Sequence, residues 1–280
     1  MKHTIFSTPP LAAAKATVDL DVLSGAKRQA SRASQPPGYR LAGSKDEPSF
    51  DLTDESRVAS RNPEGRRVSL RRIRAVRDIP AAGVSAGDLG GWVESTHLAD
   101  GALRLQDDAW VFDDAEVHGN AVLRHRAQAR HAATVRGNVV MEGDSRALDR
   151  AHLHGATRLR DRARAADQAE LAGGDLSGDV IVAGDAKTHN HVRLSEHFRL
   201  DDGASVFDRF QGFGHGHLTG SAVGGDDAMV GGDAVVTEYA HVGGEAFLTF
   251  GDRLDGFERL HSNHLTVGDS IRVAAERKAA

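Results

Sequence analysis

The chain has 280 residues and a formal net charge of −5, and only 5% of its residues are aromatic. It contains no cysteine, which excludes disulfides, thiolate zinc sites and cysteine nucleophiles. The charge gives no overall attraction to nucleic acid or to an anionic membrane, and no apolar run approaches the roughly 20 residues that span a bilayer. We therefore expect neither nucleic acid nor a membrane as a partner, and a narrow core of small aliphatic side chains.

Residues 1–66 carry little hydrophobic pattern, because serine, proline and charged residues are scattered through them. Such a stretch buries too little apolar surface to offset its ordering entropy, so we predict a disordered leader. The leader is either a solvated tail or a segment for export or partner binding. The start lacks the apolar run of a Sec signal peptide, so a cytoplasmic location is expected, with export through the leader as the alternative.

Residues 67–102 are predicted to form an N-terminal cap. Residues 68–76 alternate between apolar and polar side chains, as a strand would. The segment GDLGGWVE follows at 87–94, and its glycines allow positive φ and close backbone approach. Trp92 in this segment is expected to cover the exposed end of the core.

A six-residue repeat fills residues 103–251, as 25 consecutive units. The first position is alanine in 15 of the 25 units, and the third is leucine, valine or methionine in 18. Positions five and six are rich in glycine, aspartate and asparagine. One unit is a residue short, and the spacing assigns this to DLSGD at 175–179.

This period predicts a solenoid of short strands and tight corners. A helix cannot keep a six-residue period on one face, whereas a strand points positions one and three the same way and position two the opposite way. Aspartate, asparagine and glycine tolerate the left-handed conformation of a corner. Three units then close a triangular coil, and 25 units make about eight coils. Phe198 and Phe210 occupy first positions and predict a widened coil or a local bulge.

The hexads, for example Val111 to Ala115 and Val117 to Ala121, resemble the hexapeptide repeat of left-handed parallel β-helices. Together with residues 72–75 and GDLGGWVE, they resemble a group of uncharacterised bacterial and phage hexapeptide-repeat proteins of acyltransferase-like type, over roughly 68–251. The resemblance implies a left-handed all-β helix and a homotrimer. It also implies acyl-CoA or acetyl-CoA as donor if the chain is a transferase; otherwise no cofactor is expected. Structural members share the fold, so fold does not decide function.

Residues 18 apart should stack on neighbouring coils, which defines outward ladders. One ladder is Arg124, Glu142 and Arg160, with alternating charge. A second stacks Arg146 over Arg164, with Gln128 and Trp110 further along. Ten arginines lie between residues 124 and 164, and they either dock an anionic partner or keep the surface soluble.

A third face carries side chains with chemistry: Glu116, His118, Thr134, Arg136, His152, His154 and Glu170. His152 and His154 flank the inward Leu153, so both should point outward. With Glu170 they predict a zinc site or a general base, and the alternative is an ordinary polar surface.

Four further histidines are candidates for a catalytic base, namely His189, His191, His215 and His217. The second pair lies in a glycine-rich stretch, 210–217, where the repeat is irregular, and irregular segments are where functional sites are expected. In the trimeric acyltransferases that the repeat resembles, a catalytic histidine sits in a cleft between subunits. No motif here matches such an enzyme residue for residue.

Residues 252–280 are predicted to cap the far end, with a helix over 270–279 that begins at Asp269 or Ser270. The leading functional hypothesis is a non-catalytic scaffold for self-association or for binding a protein partner. The alternatives are a trimeric acyl- or acetyltransferase and an exported bacterial protein that acts through a partner.

Overall fold

Most strands in the computed structural model have only two to four residues, and the structure describes residues 47–59, 67–262, 264–267 and 270–273. In this part of the chain, 31 strands and one 3₁₀ turn at Pro80–Ala82 account for the regular structure. No helix in the described ranges is long and apolar enough to cross a membrane. The predicted all-β solenoid is confirmed.

The strands form three sheets, which we call A, B and C. Sheet A has fourteen strands, in the spatial order β1 (Phe50–Val58), β2 (Ser69–Ala75), β3 (Leu89–Val93), β5 (Glu116–Val117), β8 (Thr134–Val135), β11 (His152–Leu153), β14 (Glu170–Ala172), β17 (Lys187–His189), β20 (Ser205–Val206), β23 (Val223–Gly224), β26 (His241–Gly243), β29 (Glu258–His261), β30 (His264–Val267) and β31 (Ser270–Val273). Sheet B has nine: β4 (Trp110–Val111), β7 (Gln128–Ala129), β10 (Arg146–Ala147), β13 (Arg164–Ala165), β16 (Ile181–Val182), β19 (Arg199–Leu200), β22 (His217–Leu218), β25 (Val235–Val236) and β28 (Arg253–Leu254). Sheet C has eight: β6 (Val122–Leu123), β9 (Val140–Met141), β12 (Thr157–Leu159), β15 (Gly174–Leu176), β18 (Arg193–Leu194), β21 (Gln211–Gly212), β24 (Met229–Val230) and β27 (Phe247–Leu248).

The chain visits sheets B, A and C in turn, so each coil contributes one strand to each sheet. Within the solenoid the strands pair in parallel, and each residue meets the equivalent residue of the next coil, as Trp110 meets Gln128 and Glu116 meets Thr134. First and third positions are buried, as the repeat predicts; Val117, for example, is fully inaccessible to solvent. Stacking at about 4.8 Å per strand makes sheet B on the order of 40 Å long.

Every corner depends on one left-handed residue. The fifth position of each unit from Asp107 to Ser262 has positive φ. At seven of the eight aspartates in this position, the carboxylate also accepts a hydrogen bond from the backbone N–H one coil further along. Asp149 accepts from Asp167, and Asp167 accepts from Gly184, at 3.3 and 3.0 Å. Aspartate therefore both tolerates the corner geometry and ties neighbouring corners together.

The five-residue unit lies at residues 169–173, so the prediction that placed it at 175–179 is wrong. His152 pairs with Glu170, a full coil further on, whereas Thr157 pairs with Gly174, which is a residue short of a full coil. Leu176 is fully buried, so Gly174 and Leu176 take the first and third positions of a complete hexad. An inward leucine decides the register because shifting the strand by one residue would expose it.

Phe198 and Phe210 do not cause the local bulge that was one of the two predictions, because the strands that follow them keep an 18-residue step to the next coil. Both rings are fully buried, and their centroids lie 6.1 Å apart in an edge-to-face arrangement. Gly212 makes room for Phe198, since a Cβ there would lie 2.7 Å from the ring, and Gly224 does the same for Phe210. A large side chain at the first position of one unit thus fits because a glycine lies 14 residues later, at the third position two units further on.

The predicted disordered leader is wrong for residues 50–58, which form β1. This strand pairs antiparallel with β2, which pairs antiparallel with β3, so sheet A extends beyond the solenoid. Phe50 is fully buried in the main core, which supplies the apolar burial that the sequence pattern seemed to lack. The predictions for residues 1–46 and 60–66, including export, lie outside the described residues.

Trp92 does not pack on the main core, which contradicts its predicted role, whereas Trp110 is buried in that core. Trp110 is almost fully buried, whereas Trp92 is half-buried and packs on a small separate cluster. The glycines of GDLGGWVE act as predicted: Gly87 has φ of 97°, and a Cβ on Gly90 would lie 2.6 Å from Ile73. This close approach lets β3 lie across the first coil.

Arg104 is buried at the start of the first coil, a role that the repeat does not predict. Its side chain is 2% exposed. It donates hydrogen bonds to the carbonyl oxygens of Ser95, Gly119 and Ala121. These carbonyls lie where the parallel stack begins, so the guanidinium satisfies acceptors that an open end would leave unpaired.

The far end also departs from the prediction. Parallel pairing continues past residue 251, since β25 pairs with β28 and β26 with β29. The strands β29, β30 and β31 then pair antiparallel. The predicted helix is wrong for residues 270–273, which form β31 and include the β-branched Ile271 and Val273, and residues 274–279 lie outside the described part.

We predict a strong energetic coupling between Phe198 and Gly212. Phe198→Ala should destabilise the fold by about 3–5 kcal/mol, and Gly212→Ala should also be destabilising because its methyl group would meet the ring. In the Phe198→Ala background, Gly212→Ala should cost nothing or restore stability. Urea unfolding of the two single variants and the double variant measures the coupling, and strictly additive effects would contradict this packing.

Candidate functional site

The four candidate catalytic histidines do not converge within one chain. His189 lies on β17 in sheet A, and His191 lies at the corner that follows. His215 lies at the corner between sheets C and B, and His217 lies on β22 in sheet B. Their assembly in a cleft between subunits stays a prediction.

His217 has a carboxylate partner that the sequence analysis missed. Its Nε2 lies 2.9 Å from Asp201 Oδ1, and Arg199 contacts the other oxygen of Asp201 at 3.2 Å. Burial acts to raise the pKa of Asp201, but the hydrogen-bond donors around it, including His217, outweigh burial and lower the pKa. An ionised carboxylate on a histidine ring fixes its orientation, as a general base requires.

His215 is engaged by another histidine. Its ring stacks on His197 with centroids 4.7 Å apart and nearly parallel planes. His197 in turn places Nδ1 3.5 Å from Asp179. The two rings occupy the same corner of successive coils, so their contact follows from the stacking of equivalent positions.

The predicted zinc site at His152, His154 and Glu170 is not assembled. His152 and His154 do point outward on either side of the buried Leu153, as predicted. His154 Nε2 lies 3.2 Å from Glu170 Oε1, but Lys187 approaches the second oxygen of Glu170 at 3.5 Å. The hydrogen bond from His154 is the largest influence on Glu170 and lowers its pKa. Within the described ranges, no three histidine and carboxylate side chains are grouped so that they could hold a metal ion.

Glu116 and His118 are covered, although the sequence places them on an outer face. Arg57 of β1 reaches Glu116 with an Nη2 to Oε1 distance of 2.9 Å, and His118 is 1% exposed. Burial raises the pKa of Glu116 against the opposing effect of Arg57. Burial also lowers the pKa of His118 to about 4, against the opposing charge of Glu94. The N-terminal strands therefore turn this part of sheet A into an interior surface.

The predicted charge ladder is confirmed in part. Arg124 Nη1 lies 3.2 Å from Glu142 Oε1, but Arg160 turns away to make two hydrogen bonds with Asp175. In the second ladder, Arg146 does stack between Gln128 and Arg164.

The ten arginines do not form one stripe, because they are distributed over all three sheets and the corners. Several are paired with carboxylates, including Arg126 with Asp144 and Arg162 with Asp179. A single docking face for an anionic partner is therefore not present in the described part of the chain.

Contacts across coils follow two spacings, of which the sequence analysis used only one. Equivalent positions stack at a sequence separation of 18. A fourth position also meets the second position of the next coil, at a sequence separation of 16. His154 with Glu170 and Asp201 with His217 are pairs of this diagonal kind. A search for opposite charges at this second separation would have found both.

Comparison of the chain with protein-family models gives no match, and comparison with curated proteins gives no significant relative. Membership of the hexapeptide-repeat family therefore stays a prediction that rests on the residues quoted above.

The buried His118 predicts a specific pH dependence of stability. The folded chain binds a proton at His118 only near pH 4, whereas the unfolded chain binds one near 6.5. The unfolded state holds more protons between these values, so the free energy of unfolding should fall as the pH is lowered through this window. An NMR titration should give a pKa of about 4 for His118.

The control for this prediction is a pair of variants. His118→Gln should flatten this window of the stability curve, whereas His152→Gln, at an exposed histidine of the same sheet, should not. Titration of His118 near 6.5 would show that its ring is hydrated and would contradict the burial.

Proposed function

We propose that the protein is a non-catalytic scaffold that associates with a second copy of itself through the C-terminal third of the solenoid. The observation that carries this proposal is a group of exposed aromatic side chains at that end. Tyr239, Phe247, Phe250 and Phe257 are exposed by 61%, 53%, 86% and 70%.

Three of these side chains belong to two separate stacked pairs, one at the corner between sheets B and A and the other on sheet C. The ring of Tyr239 stacks on Phe257 with centroids 5.2 Å apart, and the ring of Phe247 stacks on the half-buried Phe213 at 6.3 Å. Met229 lies between these last two along sheet C. Exposed aromatic side chains that stack on one another are more typical of interaction sites than single exposed residues are.

Phe250 gives a second reason to propose an interaction surface at this end of the solenoid. It occupies the left-handed fifth position, with φ of 46°. The other non-glycine residues at this position from 107 to 262 are aspartate, histidine, asparagine, glutamate and serine. A bulky aromatic residue in this conformation costs on the order of 1 kcal/mol. A strained residue that is also the most exposed of the aromatic group favours binding over stability as its role.

Phe250→Asn should therefore lower self-association while raising the stability of the fold by about 1 kcal/mol, because asparagine tolerates the left-handed conformation. Light scattering after size exclusion measures the solution mass over a range of concentrations, and thermal unfolding measures stability. A mass of three chains for the unmodified protein would support the trimer implied by the resemblance.

Glu196→Asn is the matched control, since Glu196 also occupies a left-handed corner but lies away from the aromatic group. It should raise stability without changing the solution mass. An unmodified protein that stays monomeric at all concentrations would refute the self-association.

The pair of His217 and Asp201 favours a second candidate function, transfer of an acyl group from acyl-CoA or acetyl-CoA with His217 as general base. This candidate makes its own prediction in the same unfolding experiment. Acetyl-CoA should then raise the unfolding temperature of the unmodified protein and of His217→Gln alike, because a general base acts on the acceptor and not on binding of the donor. A scaffold without a donor site should show no response to acetyl-CoA.

A further inference from the structure

A groove of about 480 Å³ lies on the outer face of sheet C, on the N-terminal side of the exposed aromatic group. It runs along the solenoid axis from Arg160 to Phe213, both at fourth positions. Three coils separate these residues, which corresponds to about 14 Å at the spacing of stacked strands. The groove therefore has defined ends, and its length suits a small molecule.

The groove exists because two successive fourth positions are small. Ser177 and Ser195 lie between Arg160 and Phe213 in the stack and form the floor. The hydroxyl of Ser195 makes only a long hydrogen bond, 3.4 Å to the carbonyl oxygen of Gly212. For Ser177, the described part of the chain shows no hydroxyl partner. Two polar groups in the floor are thus available to a ligand.

The charge of the groove is positive. Asp175 is neutralised by Arg160, which donates two hydrogen bonds to its two carboxylate oxygens. Arg193 is the Cα partner of Asp175 in the next coil, and it also lines the groove. Its guanidinium makes no hydrogen bond or ion pair with any described residue. An uncommitted guanidinium beside two hydroxyl groups is a recognised arrangement for carboxylate or phosphate.

The far wall is an aromatic ring. Phe213 lies over Gly231 in the next coil, since a Cβ on Gly231 would lie 2.0 Å from the ring. The ring therefore leans toward the C-terminal end of the solenoid and leaves the floor at Ser195 open. Gln211 lines the groove beside it and carries an amide that can donate and accept hydrogen bonds.

We propose that this groove binds a small organic anion that carries a ring, with its carboxylate or phosphate on Arg193 and the two serine hydroxyls and its ring against Phe213. This binding does not depend on the proposed self-association, although Phe213 of the groove stacks on Phe247 of that surface. Acidic sugars have the required chemistry, because they combine a charged group with a ring whose apolar face can pack on an aromatic side chain.

The test is calorimetric titration of the full chain with glucuronate, glucose 6-phosphate and glucose. We expect the two acidic sugars to bind and glucose to fail, and the stronger of the two identifies the carboxylate or the phosphate as the preferred group. Arg193→Leu should weaken binding at least roughly tenfold, since it removes charge-assisted hydrogen bonds. Ser195→Leu should abolish binding by filling the floor.

Arg158→Leu is the matched control, because Arg158 is an exposed arginine at the equivalent outward position of sheet C, outside the groove. It should leave binding unchanged, and thermal unfolding should show that all three variants are folded. Failure of both acidic sugars to bind would overturn the proposal. An equal loss of affinity in the Arg158→Leu and Arg193→Leu variants would also overturn the proposal, because it would show that general surface charge, and not the groove, causes the binding.

Discussion

The structure depends on a left-handed residue at the fifth position of every six-residue unit. This residue turns the chain after a strand of two or three residues, which on its own is far too short to be stable. The strand is held only by its neighbours in the coils before and after, as when Trp110 N–H donates to the carbonyl of Ala127. Stability in such a stack is a sum of contacts between adjacent coils, so the two ends need special cover. Arg104 and the antiparallel strands β1 to β3 provide it at one end, and β29 to β31 extend sheet A at the other.

The same stacking organises the outer surface. A side chain at an outward position stacks on the equivalent position of the next coil, and a fourth-position side chain can also meet the second position of that coil. In the first coils several of these partners are opposite charges, such as Arg124 with Glu142 and Arg126 with Asp144. Toward the C-terminal end the partners become aromatic, as for Tyr239 with Phe257. Between the two regions lies the groove beside Arg193, where serine replaces the larger fourth-position residues. The surface is therefore divided along its axis by chemistry, although the backbone hardly changes.

The repeat allowed the coil, its three sheets and the inward rows to be predicted from the sequence, because a period of six admits few other structures. What it could not predict are the departures that are decided by contacts between distant residues. The short unit was misplaced because only the burial of Leu176 distinguishes the two registers. Phe198 suggested a bulge because its compensating Gly212 lies two units later, on another sheet.

The candidate site shows the same limit. Glu116 and His118 were expected on an open face because β1, which helps to cover them, lacks a clear strand pattern. The sequence identified His154 and His217, but it did not reveal the diagonal rule that supplies their carboxylates. These diagonal contacts depend on how one coil is staggered relative to the next. The repeat along the sequence does not reveal that stagger.

The coil geometry can be measured directly, because the chain has no native cysteine and spin labels can be placed without background. Arg146 and Arg253 are outward residues of sheet B, six strand steps apart through successive parallel pairs. Spin labels attached through Arg146→Cys and Arg253→Cys should lie about 29 Å apart along the axis at the spacing of stacked strands. Replacing the first label by one at Arg164→Cys should shorten that distance by about one strand spacing. Electron–electron double resonance that shows this stepwise change would support the stacked coil. A distance that does not shorten with the one-coil shift would contradict it.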